Sequence, residues 1–376
     1  MQLSEQKIKK LKEMNSDEAR LILRFHEYLK EKPVLCESAQ IKKMKNIAES
    51  GSKKDLNIVF DKNYVASDER FYQIPQTSFM NNTKMKSDET YYYSGKKMKE
   101  RLNNLVISEE LKEKVANVSC VNVILNLEDV SSFPIWNTKM RRKMLAVIEK
   151  VNTIDATSMK NSSLRRILEN TSREVMKEEK SYELDYVLKV LRYLYDCKKE
   201  FTVVYVSAEG ILEDEAIMLV NELEKYIKAL QLGEKRYSYI YDTVCHDLDH
   251  MFSKFGFCDF QKNQCISQRH KNLFKNNYPL PKKNGCCFNV YRTCSHHQKD
   301  GSCDTKCLAC KLYTCPFLGK LSVGMMTSEI LLIRGLFNAK QKRDAIYRFF
   351  MTEEKVLKVI KKHQNLEKSR HFSNIM

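Results

Sequence analysis

Glycine is scarce in this 376-residue sequence. Only ten occur, and none sits in a G-x-G-x-x-G, G-x-x-x-x-G-K-S/T or G-x-S-x-G arrangement. Loops that cradle phosphates and turns that display a nucleophilic serine need glycine, because their backbone enters conformations other residues resist. Familiar nucleotide-binding loops and hydrolase elbows are therefore disfavoured. Long apolar runs are missing too: nothing approaches the roughly 18–20 apolar residues that cross a bilayer. The most apolar stretch, 321–337, is interrupted by Ser328, Glu329 and Arg334 and reads as a buried helix with a polar start. The opening "MQLSEQKIKKLKEM" is too charged for the apolar segment of an export signal. The expectation is a cytoplasmic protein with no membrane span. No internal repeat with a period of about 20–50 residues, the mark of a solenoid or propeller, is visible.

What the chain does have is positive charge. The formal net charge is +17, and such an excess attracts polyanions because lysine and arginine near phosphates release counterions. The lysines are scattered singly and in pairs, which is also how solvated helix faces look. Nucleic acid and protein therefore both stay open as partners for a basic surface. With 43% hydrophobic residues, the chain can form a packed core without crosslinks.

The length exceeds that of one ordinary domain, and the composition changes near residue 235. The expected division is 1–235, a helical or α+β unit of no recognisable type, and 236–376, a helical unit enclosing a cysteine-rich segment. Residues 4–31 repeat apolar positions at helical spacing, with "NSDEA" as a break and new cap, so a helical hairpin is predicted. His26 falls in that pattern as an ordinary core or boundary histidine. Residues 50–95 read as loop-rich, and the tyrosines of "TYYYSGKKMKERL" (90–102) suit either base stacking or the start of a helix. Two β-branched runs, 118–127 and 200–207, are predicted strands, with 57–60 as a third. Helices are predicted between and after them, over 137–151, 163–179, 181–199 and 213–232. The fold class is mainly α with a small β component, α+β.

The stretch 234–257 carries one continuous apolar stripe, Tyr237, Ile240, Tyr241, Val244, Leu248, Met251, Phe252 and Phe255. His246 and His250 lie on its polar side, where a pair at i, i+4 can hold a divalent ion. "HDLDH" resembles the metal signature of cyclic-nucleotide phosphodiesterases. That family takes further ligands from upstream histidines, and no histidine lies between His26 and His246. The pair reads as a solvated helix face or as a contributor to a nearby metal site.

Cysteine is the other abundance, with thirteen residues. Cys36, Cys120, Cys197 and Cys245 lie in apolar or helical patterns and are expected in the core. The other nine, Cys258, Cys265, Cys286, Cys287, Cys294, Cys303, Cys307, Cys310 and Cys315, crowd a polar segment with His296 and His297 beside them. That segment lacks the apolar content to fold by itself. A metal ion supplies what is missing by fixing several thiolates at once, so that binding energy becomes folding energy. Disulfides and unligated thiols are the alternatives. Zinc is preferred because it uses more of the thiols, and an iron-sulfur cluster on Cys303, Cys307, Cys310 and Cys315 is the alternative cofactor. Cys303, Cys307 and Cys310 spell C-x3-C-x2-C, which resembles the triad of radical S-adenosylmethionine enzymes, although the long barrel of that family has no room to follow.

The cysteine spacing over about 240–320, with "KCLACKLYTCPFL", resembles that of uncharacterised bacterial cysteine-cluster proteins described as zinc- or iron-chelating. The resemblance implies cytoplasmic metal binding and no known reaction. Two functions follow as expectations. One is a metal-organised binding or regulatory module. The other is a metal-dependent or iron-sulfur enzyme, with His246, His250, His296 or His297 completing the site. Three further helices are expected after the cysteines, capped by Thr327 and Thr352 where caps apply, and packed against 236–256.

Overall fold

The computed structural model describes residues 2–43, 55–61, 69–74, 107–128, 135–177, 183–255, 260–261, 264–265, 306–312, 323–325, 327–349 and 351–363. The chain opens with the predicted hairpin, α1 (Glu5–Met14) and α2 (Asp17–Lys30). Its break has a local cause. Asn15 takes a left-handed conformation, and Ser16 then caps α2 by accepting a hydrogen bond from the Ala19 amide at 3.2 Å. Asp17 and Glu18 place negative charge at the helix start, where it is favourable. His26 is buried as expected, its Nδ1 accepting from the Leu3 amide at 3.3 Å.

Five strands form the sheet: β1 (Gln40–Lys43), β2 (Leu56–Phe60), β3 (Phe71–Gln73), β4 (Cys120–Asn126) and β5 (Glu200–Ser207). Their order is β1-β5-β4-β2-β3, and every pairing is parallel. Parallel neighbours need long crossovers. Helix α3 (Glu109–Ala116) lies between β3 and β4, while α4 (Trp136–Asn152), α5 (Asn161–Lys177) and α6 (Glu183–Asp196) lie between β4 and β5. After β5 come α7 (Asp214–Gln231), α8 (Arg236–Phe255), the two-residue strands β6 (Phe260–Gln261) and β7 (Gln264–Cys265), then α9 (Leu308–Lys311), α10 (Leu331–Leu336), α11 (Ala339–Tyr347) and α12 (Glu353–Lys362). The protein is mainly helical with a small parallel sheet. Among the described residues, no helix is long and apolar enough to cross a membrane.

Three expectations need correction. The stretch 50–95 holds β2 and β3 side by side where it is described; residues 50–54, 62–68 and 75–106, which include the tyrosine run at 90–102, are outside the described set. Thr327 starts no helix among the described residues, since α10 begins at Leu331 after Ile330; Thr352 does hold the N-cap position of α12, as expected, but without a side-chain cap bond. Of the cysteines expected in the core, Cys245 is buried, but Cys36 and Cys120 are half-buried and Cys197 is exposed. Cys197 follows the last turn of α6, where the helix leaves the apolar layer.

Strand alternation divides the sheet's side chains between two faces. Leu56, Ile58, Phe60, Val121, Val123, Leu125, Val203 and Tyr205 join one large core with the helices, whereas Val59, Phe71, Ile124, Val204 and Val206 form a small cluster on the other face. The large core runs from Leu3 to Ile360, so buried residues on both sides of 235 share it. Charged contacts stitch its rim. Arg141 reaches Asp214 and Arg142 reaches Glu215 at 2.7 Å, tying α4 to the start of α7. Of the tail helices, α10 and α12 pack on α8, as predicted; α10 also packs on α7, and α11 packs on α9 and α12.

Helix α10 approaches α7 at Gly335. A Cβ there would overlap Cε2 of the Tyr226 ring and lie 3.1 Å from its Cζ and Oη. Tyr226 is fully buried and its hydroxyl donates to Leu188 O at 3.1 Å, so the ring cannot swing away cheaply. Gly335→Ala should therefore lose about 1–3 kcal/mol in chemical denaturation, the usual cost of overpacking. A variant as stable as the parent would show that this contact yields freely.

Candidate functional site

The stripe of α8 packs as its period demands: Tyr237, Ile240, Tyr241, Val244, Leu248 and Met251 are buried, with Cys245 among them. Two contacts dock α9 along this helix, one on each side of Cys245. The Leu308 amide donates to Tyr241 Oη at 3.0 Å, and Lys311 Nζ pairs with Asp249. Lys306, just before α9, pairs with Asp242 at 2.6 Å and with Glu353 of α12 at 3.3 Å. A four-residue helix has no stability of its own. These bonds are what give α9 a fixed place.

Cys307 stands at the start of α9 and Cys310 lies one turn on. Cys307 is fully buried, its Sγ 3.4 Å from Arg348 O, and Cys310 is half-buried; neither is in a disulfide. Burial pushes the Cys245 thiol up to about 12, with Lys311 opposing and Asp249, Glu353 and Cys307 adding to the rise. Cys245 is thus a protonated core thiol at neutral pH, and thiolate chemistry does not start from it. The charge of Cys307 acts on Cys245, so the two residues lie in one neighbourhood, a relation that sequence separation hides.

The structure brings Cys307 and Cys310 together on one turn. His246 is 82% exposed with Asp247 beside it, and His250 is exposed as well, so this pair faces solvent. Cys265 ends β7, but its side chain is outside the described set, as are Cys258, Cys286, Cys287, Cys294, His296, His297, Cys303 and Cys315. Among the described residues, no three histidine, cysteine or carboxylate side chains converge as a metal site. No known protein family, curated protein or solved structure matches the chain.

Sequence reasoning missed a small, mainly apolar pocket with carboxylates in its wall at another part of α8. Ile135, Trp136, Glu222, Asp247, Met251 and Glu329 line a cavity of about 50 Å3, room for one or a few waters. Trp136 is 3% exposed and its Nε1 lacks a hydrogen-bond partner among the described residues. Lys225 bridges Glu222 at 2.9 Å and Asp247 at 2.7 Å. Burial opposes the Lys225 charge, but the two carboxylates outweigh it and hold its pKa above the ordinary value. Burial, helped by Asp247, raises Glu222 while Lys225 pulls it down. Lys139 and Glu329 close the rim at 2.8 Å. These groups come from distant helices, so no local pattern announces them.

Proposed function

We propose that the cysteine-rich segment 258–315 binds zinc and that the metal-organised unit serves as a binding or regulatory module. The observation that supports this reading is the docking of α9: Cys307 and Cys310 form a two-thiol turn, held on α8 by Tyr241 and Asp249. A C-x2-C turn is the half-site from which closed zinc sites are built. The fit is one of donor chemistry, since both thiols are free of disulfides. Cys307 and Cys310 would hold the ion together with thiolates from the rest of the segment. Zinc would supply crosslinking there rather than chemistry. The basic surface, with its net charge of +17, suits an anionic partner such as nucleic acid.

Metal analysis and absorption spectra of protein purified with and without oxygen test this directly. Zinc without visible absorbance is the expected result. A brown, oxygen-sensitive chromophore would instead favour an iron-sulfur enzyme. Because Cys310 is only half-buried, Cys310→Ser removes a ligand with little packing cost. It should release the metal and open 245–320 to limited proteolysis while the N-terminal part resists. Unchanged metal content and digestion would remove this thiol from the site. Nucleic-acid binding, if it occurs, should weaken steeply as salt rises, and a flat salt response would remove that partner class.

A further inference from the structure

The second face of the sheet carries a feature unrelated to the thiols. Parallel sheets are normally covered on both faces and read as near-continuous apolar runs. Here the register sets Asn57, Asn122 and Thr202 side by side in one row across β2, β4 and β5. The next row is Val59, Ile124, Val204 and, from the edge strand β1, Gln40; Lys42 follows one step along β1 opposite Val206. Gln40, Lys42, Asn57, Asn122, Ile124, Thr202 and Val204 line a cavity of about 140 Å3. Its floor is thus polar at one end and apolar in the middle, with an amide and an ammonium group at the edge.

The hydrogen-bond pattern leaves donors free. Asn57 is engaged at both ends, its Oδ1 accepting from Asn122 Nδ2 at 3.0 Å and its own Nδ2 donating to Arg70 O at 3.4 Å. The bond to Asn57 fixes the Asn122 amide and, among the described residues, leaves its second N–H unused. Among the described residues, the side chains of Gln40, Lys42 and Thr202 make no hydrogen bond or ion pair. Among the described residues no carboxylate lines the cavity, and Lys42 is the one charged group in its lining. The volume is below the roughly 300–1,000 Å3 of sites that enclose a drug-sized ligand, which restricts an occupant to about one ring.

We propose that this cleft binds a small organic anion, its oxyanion held by Lys42 with Thr202 and the Asn122 amide, and its apolar body resting on Ile124 and Val204. Carboxylates and phosphate monoesters share that chemistry. A zwitterion is disfavoured because nothing in the lining would pair with its ammonium group.

Saturation-transfer NMR on the full chain, with benzoate, phenyl phosphate and neutral benzamide as probes, tests the proposal. At least one anion should bind, and benzamide should bind about tenfold more weakly or not at all. Lys42→Met should weaken the anion about tenfold, the scale of a lost charge-assisted hydrogen bond. Lys42→Gln should do the same, and Thr202→Val, which keeps the side-chain shape, should weaken it several-fold. Preference for benzoate would assign a carboxylate, and preference for phenyl phosphate a phosphate ester; either supports the site. Absence of binding by both anions would overturn it. So would anion binding that survives Lys42→Met and Thr202→Val unchanged, because attraction to the basic surface would then explain it, and so would benzamide binding as well as benzoate.

Discussion

Arg334→Met should destabilise the protein by about 3–5 kcal/mol, and Arg334→Met combined with Asp185→Leu should restore most of that loss. Arg334 of α10 meets Asp185 of α6 through two parallel bonds, Nε to Oδ1 at 2.5 Å and a terminal nitrogen to Oδ2 at 2.6 Å. The side chains are only 13% and 10% exposed. Desolvating both charges is costly, and the pair offsets that cost only while both members are present. Removing the arginine alone strands a carboxylate in the core, whereas removing both leaves apolar groups of suitable size. Lys342 is the nearest substitute, with Nζ donating to Arg334 O at 2.8 Å. Burial, then Arg334, depresses its pKa to about 8. If Lys342 swings onto Asp185, the single variant falls at the lower end of the range. Urea denaturation of the two variants reads the difference. Equal loss in the single and the double variant would mean that the pair contributes packing and no electrostatics.

That contact was partly legible in the sequence. An arginine inside "SEILLIRGLF" has no solvated face to occupy, so it demands a partner, and Asp185 inside the apolar pattern of "YELDYVLKVL" makes the same demand. What the sequence does not contain is their pairing across 149 positions. The central strands were visible because β-branched runs of strand length admit few other structures. The edge strands β1 and β3 were not. "QIKK" and "FYQ" are short and partly polar, and their extended form is imposed by β5 and β2 rather than by their own preference.

The same contrast separates the two candidate sites. The cysteines announce themselves by number, yet only a docked turn fixes what Cys307 and Cys310 can do, and that docking depends on Tyr241 and Asp249 some 60 positions away. The cleft has the reverse character. Asn57, Asn122 and Thr202 each look like ordinary interruptions of apolar strands, and only parallel register sets them in one row. Alternation in "VNVILN" was the available signal, since a parallel strand buried on both faces has no reason to alternate.

Lys143 of α4 makes the sharpest claim about pH. Helix α4 is enclosed by α2, α5 and α7, and Lys143 is 2% exposed with no partner for Nζ among the described residues. Burial, reinforced by Lys139, pushes its pKa down to about 7 from 10.5. In the unfolded chain the amine keeps its proton up to the higher value. Between these limits the unfolded state binds more protons, so the stability carried by this residue rises with pH across the window and is lost as pH falls toward 7. Methionine has similar length and no charge, and it removes the penalty at every pH. Lys143→Met should therefore stabilise the protein near pH 6 by on the order of 4 kcal/mol, at about 1.4 kcal/mol per unit of displaced pKa. The advantage over the parent should shrink by about 3 kcal/mol by pH 9.5. Taking the difference between the two proteins at each pH removes the tyrosines and other groups that titrate in both. A constant difference across that range, or a variant less stable than the parent at pH 6, would show that the amine is solvated or held by a partner, and that burial does not govern its charge.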